Sequence, residues 1–140
     1  MVSPEQPTDQ GSQTVETTES EQALHQVIQI LKATAEQFNT LDQEAATAIL
    51  RRDTKDHLEK LKAKGQLLID LPDLLTSSLE EVELETRQLI LDSVSYFATS
   101  ARGVLQDENV FGLGVLLTHM GRKIGDKNDL EELINSLESK

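Results

Sequence analysis

Apolar residues recur at helical spacing along most of the chain. Leu24, Val27, Ile28, Leu31, Ala35 and Phe38 share one face, while His25, Gln26, Gln29, Lys32 and Glu36 fall off it. Thr18-Glu19-Ser20-Glu21 stands just before this run as a capping box. The hydroxyl can accept from the Glu21 amide, and the Glu21 side chain can reach back. The pattern predicts a first helix over 19–38. A second box, Thr40-Leu41-Asp42-Gln43, opens a stripe of Leu41, Ala45, Ala48 and Ile49, later Leu58 and Leu61. That predicts a helix over 40–64, solvent-facing or bent across the polar run Arg51–Asp56. Gly65 is its expected stop, with Lys60, Lys62 and Lys64 in a last turn that favours cations.

Gln66–Leu71 reads equally as a short strand or a buried connector. Pro72 suits the first position of one short helical turn. Ser78-Leu79-Glu80-Glu81 forms a third capping box, followed by Leu79, Val82, Ile90, Val94, Phe97, Ala101 and Val104, with Gly103 as the expected end. Leu84, Leu89 and Leu91 widen this stripe, as in a helix buried on more than one side. Asp107 or Asn109 can cap a helix over 109–124. Asn128 with Glu131 can cap a final one carrying Leu130, Leu133, Ile134 and Leu137. Residues 1–17 are polar, hold Pro4, Pro7 and Gly11, and lack lysine and arginine. They bury too little to offset their ordering entropy and are expected to form a disordered tail.

The expected architecture is all-α: one bundle of about five helices over 18–140, behind the tail. Leucine dominates the apolar set and only Phe38, Tyr96, Phe97 and Phe111 are aromatic, which suits helix-on-helix packing better than sheet.

One segment departs from ordinary amphipathic patterning. Val110–Gly125, VFGLGVLLTHMGRKIG, holds the longest apolar-plus-glycine run and four of the seven glycines, and includes the pair Arg122-Lys123. A phosphate-loop reading fails. Leu117 stands where a dinucleotide fingerprint needs its third glycine, and Gly121 is followed by Arg122-Lys123-Ile124 rather than by lysine and a hydroxyl residue. Two readings remain. In the favoured one this is a central core helix whose glycines permit close helix approach. In the other, Phe111, Val115 and Met120, with Arg122 and Lys123 at the rim, form an exposed docking face, since methionine adapts to partners and arginine anchors interfaces.

The formal net charge of −12 speaks against a nucleic-acid partner, whose phosphates require lysine and arginine. There is no cysteine, so disulfides, thiolate metal sites and cysteine nucleophiles are excluded. The N-terminus shows neither the basic nor the apolar region of a secretory signal, and no apolar run approaches the ~18 residues of a membrane span. A cytoplasmic, soluble protein is expected.

Candidate chemistry is thin. Asp53 and His57 are four apart on one helix face, but two ligands do not make a metal site. His25 and His119 lack carboxylates at ligand spacing. Asp126-Lys127-Asn128-Asp129 begins like a calcium loop and fails at Leu130 and Glu131. No serine lies in a nucleophile motif. No cofactor, metal or catalytic residue is expected. The leading expectation is a non-catalytic accessory, adaptor or regulatory module that binds another protein. The first alternative is an acidic inhibitor or immunity-type protein that offers Glu80, Glu81, Glu83 and Glu85 to a basic partner. The second is a small enzyme with a site between helices.

Overall fold

The computed structural model describes residues 5–118 and 127–139, with side chains from Glu19 onward. Among these residues there are five helices and no strand: α1 (Glu5–Leu50), α2 (Thr54–Leu79), α3 (Leu84–Gln106), α4 (Val110–Gly114) and α5 (Asp129–Glu138). The bounds of α1 reach back through most of the stretch expected as a tail. The expectation for 1–17 falls on residues 1–4 and on side chains outside the described set.

Two expected helices are one. The stripe Val27, Leu31, Ala35, Phe38, Ala45 and Ala48 continues across Asn39-Thr40, so burial favours an unbroken helix over a local cap. The break comes at 51–53. The Asp53 amide donates to the Ala48 carbonyl at 2.9 Å and the Arg52 amide to Ile49 at 3.0 Å, with Arg52 at φ 62°. This is a helix stop of the Schellman type, with arginine where glycine is usual. Asp53 then caps α2, its Oδ1 accepting from the Asp56 amide at 3.0 Å.

Against expectation, α2 runs through Gly65, through Gln66–Leu71 as helix rather than strand or connector, and through Pro72 to Leu79. The buried row Leu61, Lys64, Gly65, Leu68, Leu71, Leu75 and Leu79 has no gap. Each fully buried leucine contributes about 1.5–3 kcal/mol, which offsets the ~3 kcal/mol cost of an interior proline. Ser78 is therefore inside α2, not a cap. The connection to α3 is the turn 80–83, and α3 begins at Leu84 and passes Gly103 to Gln106. It ends as α1 does: the Asn109 amide donates to Val104 at 2.9 Å, and Glu108 sits at φ 49°. The Lys62 ammonium, by hydrogen bond and by charge, holds the Glu108 carboxyl below its ordinary pKa.

Short connections make α1 and α2 antiparallel neighbours, and likewise α2 and α3. The central element is α2, which packs on α1, α3 and α4, while α5 lies along α1. The direction of α5 follows from its polar contacts. Asn128 meets Asn39, and Glu138 pairs with Lys32 at 2.6 Å, so α5 runs antiparallel to α1. Its apolar face, Leu130, Leu133, Ile134 and Leu137, joins one core with α1, α2 and α3.

Two polar positions inside that packing fix the arrangement. Lys64, 1% exposed, extends from α2 to α1, where its Nζ donates to Asp42 Oδ1 at 2.7 Å and lies 4.8 Å from the centre of the Phe38 ring. Its apolar stem fills the interface, while the ammonium meets a carboxylate that reaches water. The expected capping box at Asn128 and Glu131 is present in both directions. Asn39 adds a second layer, donating to Glu131 Oε2 at 3.1 Å and accepting from Asn128 Nδ2 at 3.3 Å. Asn39, between the two helices expected from sequence, is the clamp for α5.

Candidate functional site

The segment after α3 is neither a central helix nor a long one. Of the two expected caps, Asp107 and Asn109, it is Asn109 that serves, its side chain accepting from the Gly112 amide at 2.9 Å. The helix then lasts one turn, Val110–Gly114. Leu113 is fully buried, and Leu116 and Leu117 nearly so. Leu117 takes φ 65°, and its carbonyl accepts the Asp129 amide at 2.9 Å. These three leucines anchor the segment across the bundle. The favoured core-helix reading is thereby corrected: Leu113, Leu116 and Leu117 go in, while Val110, Phe111 and Val115 face solvent.

The outward residues are Val110, Phe111 and Val115, exposed by 46%, 78% and 40%. Two of these, Phe111 and Val115, were candidate docking residues. Met120, Arg122 and Lys123 lie outside the described residues. Val110, exposed beside them, is not among the residues that the sequence offered.

The glycines divide in the same way. A Cβ on Gly112 would lie 2.6 Å from Val104 Cγ1 and 3.0 Å from Asn109 Nδ2, so the turn sits tightly on α3 only because this residue is glycine. Gly114 has open space around it. Gly65 brings α2 against the turn, where a Cβ would be 3.2 Å from Leu113 Cδ2.

A second feature lies at the far end of the bundle. A groove of ≈ 630 Å³ opens between the α1 stretch 20–32, the 82–86 junction and the end of α5. Leu24, Ile28, Val82 and Leu137 line its floor. Glu21, Glu83, Glu85 and Glu138 stand around it with His25 and Lys32. Lys32 is occupied by Glu138, whereas Glu21, Glu83 and Glu85 make no ion pair among the described residues. Two of the four acidic candidates thus border a groove, and Glu80 and Glu81 are exposed on the adjoining turn.

The remaining candidate pair is engaged in structure. Asp53 caps α2, and His57 Nδ1 is 2.8 Å from the Ala45 carbonyl oxygen of α1. Among the described residues no group of three or more metal-binding side chains is gathered. No described helix is long and apolar enough to cross a membrane.

Comparison with protein-family models, with curated proteins and with solved structures gives no match.

Proposed function

We propose that this is a non-catalytic interaction module that contacts another protein through the turn at 110–117. The observation that carries the reading is the division of that turn, with Phe111 held out in water while Leu113, Leu116 and Leu117 are anchored below it. A phenylalanine in water contributes little to folding. On a turn that is already ordered it offers a large apolar contact with little entropy left to lose on binding. The matching partner surface is an apolar pocket that accepts an aromatic side chain, with Val110 and Val115 at its edge.

A photo-reactive phenylalanine analogue at position 111, compared with one at the exposed α3 position 95, tests this. A cross-linked product formed at 111 and not at 95, and lost when Val110 and Val115 become serine, supports the reading. Equal products at both positions contradict it.

The groove favours a second reading, in which a basic segment with an apolar tip binds between Glu21, Glu83 and Glu85. An apolar floor within an acidic rim supports it. Binding of a lysine-leucine amphipathic peptide there would fall steeply as salt rises.

A further inference from the structure

The chain itself carries a segment with the chemistry this groove asks for. At the α1–α2 turn, Leu50 is 82% exposed and Ile49 is about half exposed. Arg51, Arg52 and Lys55 follow directly. Arg52 and Lys55 make no ion pair among the described residues, and Arg51 reaches Asp56 only at 3.5 Å. The nearby carboxylates are spoken for: Asp53 caps the helix, and Asp56 is shared between Arg51 and Lys60. The tip therefore presents two aliphatic side chains beside free cations, and its backbone is fixed by the double hydrogen bond of the helix stop.

The tip cannot reach its own groove. Both lie on α1, and the ~21 residues between Gln29 and Leu50 span roughly 30 Å of straight helix. Resting on the second reading above, we propose that the groove receives the Ile49–Lys55 tip of a second copy of this chain. Ile49 and Leu50 meet the floor of Leu24, Ile28, Val82 and Leu137, while Arg52 and Lys55 face Glu21, Glu83 and Glu85. The contact is head to tail, so a pair of copies keeps one free tip and one free groove. Assembly continues into a ring or an open chain, depending on whether the rotation closes. The contact is small, so association is weak and concentration-dependent. The net negative charge of each copy opposes it, but that repulsion acts over longer distances and is largely screened beyond ~8 Å at physiological salt, whereas contact pairs are screened less.

Sedimentation of the full-length chain across the micromolar to millimolar range tests the proposal. Two double variants are compared: Arg52→Glu with Lys55→Glu at the tip, and Glu83→Lys with Glu85→Lys at the groove. Circular dichroism confirms that both remain helical. The wild type is expected to grow in mass with concentration, and each variant alone to stay monomeric. An equimolar mixture should associate again, because the intact tip of the groove variant fits the intact groove of the tip variant, and the reversed tip and reversed groove are likewise opposite in charge. The substitutions are equal and opposite in charge, so the mixture carries the same total charge as wild type. A wild type that stays monomeric throughout, or a mixture that does not pair, overturns the proposal. Should that happen while the lysine-leucine peptide still binds wild type and not the groove variant, the basic-partner reading stands alone. If the peptide also fails, both fall.

Discussion

Two glycine-bearing stretches, 61–75 of α2 and 110–117 after α3, have exchanged the places that their sequences suggest. The first contains two lysines, a glycine and a proline, yet it is the middle of the fold. The second is apolar or glycine at every position, yet three of its side chains are in water. Hydrophobicity at a position reports what the residue can do, whereas burial depends on which neighbours the chain length allows. A 26-residue helix between two partners buries even a lysine if the charged end can reach a carboxylate at the edge. A single turn has too little surface to bury more than one side.

Truncation separates the two faces of the turn most sharply. Leu113→Ala is expected to lower stability by about 2–5 kcal/mol, as Leu68→Ala should in α2, while Phe111→Ala should change it by less than ~0.5 kcal/mol. Urea unfolding measures all three. Similar losses at 111 and 113 would erase the distinction between anchor and exposed face.

Lysine 64 tests how the middle of the fold tolerates charge. Lys64→Ala should cost about 2–4 kcal/mol because it empties the α1–α2 interface, but Lys64→Met should stay within ~1.5 kcal/mol of wild type or exceed it. A large loss for methionine would show that the Asp42 pair, and not the stem, holds the helices.

The glycines give a smaller pair of effects. Gly112→Ala should destabilise by about 1–3 kcal/mol, since its Cβ has no room against Val104, whereas Gly114→Ala should be stabilising by up to ~1 kcal/mol. Thermal melts resolve the opposite signs. Smaller still, Asn128→Ala should cost about 1 kcal/mol through the lost cap, and Asn39→Ala should weaken the α5 contact by a similar or smaller amount.

The same comparison shows what was legible. Helical class, the caps at Asn109 and Asn128, and the core faces of α1 and α5 follow from spacing and local hydrogen bonding, which sequence carries directly. The wide stripe expected of α3 does not hold, because Leu84 and Leu89 are exposed and only its Ile90, Val94, Phe97 and Ala101 side is buried. The helix bounds did not follow either, because Thr40, Gly65 and Ser78 carry local stop or start signals that tertiary burial overrides. Phe111 and Val115 were recognisable as unusual, but their exposure depends on Leu113, Leu116 and Leu117 turning inward over a short segment. The groove and the tip were out of reach for a different reason. Their parts come from α1, the 80–86 junction and α5, which only the folded chain brings together.

The division of the 110–117 turn is most directly tested by fluorescence. The chain has no tryptophan, so Phe111→Trp supplies a single probe. Its emission is expected to match that of an indole in water and to be quenched freely by acrylamide, with the melting temperature unchanged. A blue-shifted, quencher-resistant signal would place residue 111 in the core and contradict the exposed face on which the proposed function rests.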